Sequence, residues 1–113
     1  MSAPRRGEVW LASLDPTVGH EQAGTRPALI LSVDAFNASA SGLVTVLPIT
    51  SKARALRTRV EVRPPEAGLN VVSYIIGEQT RTISTHRLVK PLGSVTDATM
   101  ANVTDIVRVL LGL

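Results

Sequence analysis

Residues 15–27 read D-P-T-V-G-H-E-Q-A-G-T-R-P and lie between two stretches patterned as β-strands. Asp15-Pro16 turns the chain, while Gly19 and Gly24 permit backbone angles that side chains resist. Upstream, residues 7–14 carry Val9 and Leu11 on one face and Glu8, Trp10 and Ala12 on the other, the period-2 alternation of a strand. Downstream, residues 27–33 contain Ala28-Leu29-Ile30-Leu31, which is apolar on both faces and predicts a strand in the middle of a sheet. A polar loop held between strands is where a small β protein places its functional groups. This one offers His20, Glu21, Gln22, Thr25 and Arg26. A hairpin loop that is merely solvated would have the same composition.

The pattern outside the loop is also mostly β. Residues 34–41 read as irregular or as one short helical turn, with Asp34 as its cap and Gly42 as its end. Residues 43–49 form a third strand, in which Pro48 points to an edge or a bulge. A basic loop follows at 50–57, then a strand at 58–62 and a turn from Pro64-Pro65 to Gly68. Residues 71–76 are β-branched and extend through a bend at Gly77 into 78–82. A helical turn is expected at 85–87 and a last strand at 88–92, broken by Pro91 and Gly93. The end of the chain changes period. Met100, Val103, Ile106, Val107 and Leu110 recur at helical spacing, with Thr96 or Ser94 as the cap and Asp97 at the positive end of the helix. The fold class is mainly β with a C-terminal helix, in a single domain over 1–113.

Composition narrows the function. The 113 residues contain no cysteine and two histidines far apart, which excludes disulfides and thiolate metal sites and disfavours a zinc centre. No run approaches the ~20 apolar residues of a membrane span. The first residues lack the apolar core of a secretory signal, so a cytoplasmic protein is expected. Net charge is +3, and Lys52, Arg54, Arg57, Arg59 and Arg63 cluster with only Glu61 against them. Such a run can follow a phosphate backbone, or it can be a solvated edge that discourages strand pairing. Aromatic residues make up 3% of the chain, which leaves little for base stacking.

The motifs together carry a resemblance. R-R-G-E-V-W at 5–10 leads into the loop and R-P-A-L-I-L-S at 26–32 leaves it; L-P-I-T-S follows at 47–51, G-E-Q-T-R-T-I at 77–83 and R-L-V at 87–89. In this order and spacing the chain, from about residue 5 to 113, resembles the MazF/PemK family of toxin endoribonucleases from toxin–antitoxin systems. The resemblance implies an SH3-like antiparallel barrel and a homodimer. It implies single-stranded RNA (mRNA) as the substrate and a MazE-like antitoxin, with a disordered acidic segment, as the partner. No cofactor or metal is implied. The Gly24-Thr25-Arg26-Pro27 and Ile49-Thr50-Ser51 motifs match the family's active-site arginine and threonine.

Cleaving RNA by its own 2′-hydroxyl requires removal of the 2′ proton, stabilisation of charge on the pentavalent phosphate, and protonation of the leaving oxygen. Arg26 suits the second task, because its planar guanidinium donates two parallel hydrogen bonds to phosphate. Pro27 restricts Arg26 to an extended backbone. Thr50, at a strand end, offers a hydroxyl and an N–H. Glu21 is a candidate base or base-orienting group, and Gln22 a reader of a base edge. His20, Thr25, Ser51, Lys52, Arg54 and Gln79 complete the expected substrate contacts. His86 reads as a surface residue and Trp10 as packing near the base of the loop. The alternative on the same fold is a non-catalytic toxin of the gyrase-poisoning CcdB type, and a third reading is a barrel that binds RNA without cutting it. The Arg26 and Thr50 pair favours the nuclease.

Overall fold

The computed structural model describes residues 2–16 and 18–113. The strands are β1 (Glu8–Ser13), β2 (Thr25–Ile30), β3 (Leu43–Thr50), β4 (Arg59–Val62), β5 (Ser73–Ile76), β6 (Arg81–Ser84) and β7 (Leu88–Ser94). The helices are α1 (Asp34–Asn37) and α2 (Asp97–Leu111), and single 3-10 turns occupy Glu66–Gly68 and Thr85–Arg87. All pairings are antiparallel, in the order β4-β5-β3-β2-β1-β7, with β6 also on β3.

β2 lies in the middle of this path, as its two apolar faces predict. Its alternate residues feed two cores. Val9, Leu29, Leu47, Ile49, Val62 and Ile75 pack with Val103 and Val107 of α2, whereas Trp10, Ala12, Ala28, Ile30, Val44, Val46 and Ile83 form a second cluster on the opposite face. Neighbouring side chains of a strand point to opposite sides, so β1, β2 and β3 must be apolar at nearly every position. Truncating one of the fully buried leucines in such a core costs about 2–5 kcal/mol.

The expected barrel is not closed by hydrogen bonds, because the path ends at β4 on one side and β7 on the other. The chain after β4 instead packs against β7 through the turn Glu66–Gly68. The approach is backbone to backbone: a Cβ on Gly68 would lie 2.0 Å from the Leu92 carbonyl oxygen, and one on Gly93 would lie 2.6 Å from the Ala67 carbonyl carbon. No strand ladder fits in that space.

Other expectations need correcting. Pro48 is buried in β3, a central strand. It is tolerated because one edge of β3 changes partner there: β6 pairs with Leu43 to Val46 and β5 with Ile49 and Thr50. The missing N–H therefore costs no ladder bond on that edge. Residues 71–82 form two separate strands, since the chain turns at Gly77 and Glu78 and both β5 and β6 pair with β3. Asp34 does not cap α1, whose N-cap is Val33; its carboxylate accepts from the Arg6 amide at 2.7 Å and from Arg5 Nε at 3.4 Å. Trp10 is 4% exposed in the second core, beside Asn37, Ala38 and Leu88 rather than at the loop base.

The helix reads as its spacing predicts. The Thr96 side chain accepts the Thr99 amide, a cap worth about 1 kcal/mol. Gly112 ends the helix with φ of 70°, the left-handed conformation glycine adopts freely. Among the described residues no helix is long and apolar enough to cross a membrane.

Candidate active site

β2 begins at Thr25, two residues earlier than the pattern predicts, so Arg26 belongs to a strand and not to the loop. It stands opposite Ala12 of β1. Its side chain is exposed, and Nε donates to the Ala23 carbonyl at 3.2 Å. Both terminal nitrogens are without a protein partner among the described residues, so the outer edge of the guanidinium faces solvent ready for an anion.

Thr50 ends β3 and is 8% exposed. Its hydroxyl oxygen accepts the Lys52 amide at 3.2 Å. That bond fixes the oxygen and leaves the hydroxyl proton free to donate. Arg26 and Thr50 come from different strands yet line one cavity of about 330 Å³, together with Ser51, Pro27, Leu11, Asn70 and Ser73. Gly68 and Leu92 contribute to the same wall. The cavity therefore presents one cation and several hydroxyl and amide groups on an apolar floor, a setting for a phosphodiester with an attached base.

Of the other expected residues one, Ser51, lines this cavity. Thr25 is exposed at the start of β2, and Lys52 and Arg54 are exposed on the loop leaving Thr50. Glu21 is not in the cavity; its Oε1 accepts from the Val18 amide at 3.1 Å, which braces the loop. His20 is exposed and Gln22 half-buried. The Gln22 amide donates to Gln79 Oε1 at 2.8 Å, and Gln79 Nε2 donates to the His20 carbonyl at 3.1 Å. Gln79 thus grips the loop backbone with both ends of its carboxamide.

The stems of the loop are held in the same way. The Asp15 carboxylate accepts the Gly24 amide at 3.0 Å, and the Leu14 amide donates to the Gly24 carbonyl at 2.9 Å. Arg81 donates to the Leu14 carbonyl at 3.1 Å, and Arg87 to the carbonyls of Ser13 and Asp15. His86, beside Arg87, is exposed as expected.

The basic cluster is smaller than its sequence suggests. The Arg59 side chain, 6% exposed, pairs with Glu78 at 2.9 Å, and Arg63 pairs with Glu61 at 2.8 Å. Partial burial of Glu78 raises its pKa, but hydrogen bonds from Arg59 and Thr58 outweigh this and hold the carboxyl below the usual glutamate range. Lys52, Arg54 and Arg57 make no ion pair among the described residues, which leaves three free cations on the segment that follows Thr50.

Sequence reasoning missed Asn70, Ser73 and the glycine wall. Asn70 follows a turn that gave no functional signal, and it reaches the cavity only because the segment before β5 folds across it.

This arrangement, a small antiparallel sheet carrying an arginine and a threonine in one anion-ready cavity, defines a class, and the comparisons give it a family. The model of the PemK-like, MazF-like toxins of type II toxin–antitoxin systems matches residues 5–111, and the chain belongs to that family. It is 38% identical to endoribonuclease MazF9 of Mycobacterium tuberculosis, over 96% of this chain and 97% of that one. It is 37% identical to endoribonuclease MazF of Staphylococcus saprophyticus, over 96% and 92%. Among solved structures, MazF from Deinococcus radiodurans superposes with a TM-score of 0.86 at 30% identity, covering 98% of each chain. A mycobacterial endoribonuclease in complex with its cognate antitoxin superposes with a TM-score of 0.82 at 30% identity, covering 98% and 97%. These likenesses do not favour the gyrase-binding alternative.

Proposed function

We propose that the chain is a sequence-selective, metal-independent endoribonuclease that cuts single-stranded RNA in the cavity between Arg26 and Thr50 and is neutralised by a cognate antitoxin. The observation that carries this reading is the convergence of Arg26 and Thr50 on one cavity from different strands. The 2′-hydroxyl attacks the adjacent phosphorus, its proton is removed, and the 5′ oxygen of the next nucleotide leaves and takes up a proton. The products are a 2′,3′-cyclic phosphate and a 5′-hydroxyl. Arg26 meets the negative charge that grows on the equatorial oxygens, and the Thr50 hydroxyl donates to one of them. The nucleophile is part of the substrate, so the site needs to supply charge stabilisation rather than an activated water. Single strands are favoured because their base edges are open to Asn70, Ser51 and the loop at 15–27.

Two partners follow from the surface. Val109, Leu111 and Leu113 are 81%, 57% and 83% exposed, so the end of α2 does not fold back onto the domain. We assign this apolar end to a homodimer contact. The free cations at 52–57 suit both RNA and the acidic segment of an antitoxin. The RNA substrate of such an enzyme places it in the cytoplasm.

The test is an RNA oligonucleotide incubated with the protein in EDTA, with one deoxyribose placed 5′ of the cut bond. Cleavage of the all-ribose strand with a 5′-hydroxyl on the downstream fragment is expected, with none at the deoxyribose. A cut at the deoxyribose means that water is the nucleophile.

A further inference from the structure

We propose that Gln79 is a positioning residue of the cleavage site, whose carboxamide sets the loop at 15–27 in register with Arg26. The proposal deepens the endoribonuclease reading and rests on it. Gln79 stands 57 residues from Gln22, just before β6, yet accepts the Gln22 amide at 2.8 Å and donates to the His20 carbonyl at 3.1 Å. Only one orientation of the carboxamide satisfies both bonds, because a backbone N–H needs the oxygen and a backbone carbonyl needs the amino group. The side chain is therefore a two-point clamp.

The clamp has a direct line to the cavity. The residue after Gln22 is Ala23, whose carbonyl accepts from Arg26 Nε at 3.2 Å. Residues 20–23 are thus wedged between Gln79 on one side and the guanidinium on the other. Without the clamp residues 20–22 retain only the turn bonds between Glu21 and Val18, and the Ala23–Gly24 peptide is held from its far side alone, by the Asp15 carboxylate on the Gly24 amide. Arg26 would then keep its charge and lose its aim. Gln79 is itself fixed from behind: its neighbour Glu78 is bonded to Thr58 at 2.8 Å and to Arg59 at 2.9 Å. The clamp thus stands on the turn between β5 and β6, which is itself tied to the start of β4. A residue that reads RNA directly would keep its carboxamide free for the substrate, and Gln79 does not.

Gln79→Met removes both bonds at nearly constant volume. Gln79→Glu keeps the acceptor for Gln22 and sets a carboxylate oxygen against the His20 carbonyl. The measurements are kcat and KM on a short RNA, the thermal midpoint, and hydrogen exchange of the Gln22 amide. For Gln79→Met the expected result is a kcat lower by about 100-fold, the scale of an ångström-sized misplacement. KM should stay within about twofold, because the free cations still bind the strand. The Gln22 amide should exchange at least about tenfold faster while the thermal midpoint holds. Gln79→Glu should fall between Gln79→Met and the wild type in both exchange and kcat. Unchanged Gln22 exchange in Gln79→Met overturns the clamp. Faster exchange with unchanged kcat overturns its role in the reaction, and a rise in KM alone makes Gln79 a substrate contact. If the wild-type protein cuts no RNA, the nuclease reading fails, whereas the exchange data still decide whether Gln79 holds the loop.

Discussion

Residues 14–24 are closed at their base by Asp15 on Gly24 and tied by Gln79, Arg81 and Arg87 to segments far away in sequence, whereas residues 51–57 follow the end of β3, all exposed, with few bonds: Lys52 to Thr50, Leu56 to Arg54 and Arg59 to Leu56. The first leads into β2, whose Arg26 lines the cavity, and the second begins at Ser51, which lines it too. The first lies beside Arg26, the group proposed to meet a transition state, and stabilising a transition state requires fixed geometry. The second carries Lys52, Arg54 and Arg57, and charge attracts a polyanion from many positions. Bracing bonds are many where direction matters and few where only sign does.

Breaking the rigid side should give the largest effect. Arg26→Ala should lower kcat by about 100- to 1000-fold, the cost of removing one preorganised charge stabiliser. The side chain is exposed, so the thermal midpoint should hold; single-turnover kinetics and a melting curve on the same sample check both.

Breaking the less braced side should act on capture. Charge reversal at both Arg54 and Arg57 should weaken RNA affinity roughly tenfold at low salt, with kcat nearly intact, and should lower the salt slope by about 2. Binding titrations at several ionic strengths test this, with antitoxin run in parallel. Loss of RNA affinity without loss of antitoxin affinity would separate the two surfaces.

A smaller effect sharpens the contrast. Asp15→Ala removes one brace from the rigid loop and should lower kcat by about fivefold, the scale of a hydrogen bond of ~1 kcal/mol. KM on a short RNA should not move. The smallest effect is on stability against pH. The Glu78 carboxyl is held below the usual glutamate range. Its contribution is therefore complete above that range and disappears as pH falls through it toward the lower value in the folded protein. Glu78→Gln should flatten the acid limb of the stability curve, as read by melting between neutral and acidic pH.

The sequence exposed one side of this contrast better than the other. The strands around the loop alternate visibly, and the G-T-R-P and I-T-S motifs single out Arg26 and Thr50 as the residues to follow. The bracing is invisible in one dimension. Arg81 reads as an ordinary strand residue and Arg87 as part of a helical turn, since nothing local shows that their donors end on carbonyls of residues 13–15. Pro48 misled because its cost depends on which neighbour occupies each edge of β3. The basic run overstated its free charge because Arg59 meets Glu78 across a turn. Open or closed sheet edges were likewise beyond pattern reading, since the turn Glu66–Gly68 and β7 meet through backbone and not through apolar side chains.

The meeting of Gly68 with Leu92, and of Gly93 with Ala67, has a consequence for how such a protein diversifies. One wall of the cavity is main chain, at a separation that admits no side chain. That wall cannot be recut by point substitution without prising the two segments apart. New base preferences must come from the side chains on the rest of the rim, at Ser51, Asn70 and Val71, and from the length of the loop at 15–27. An engineer seeking a different cut site should build libraries at the rim and leave both glycines alone.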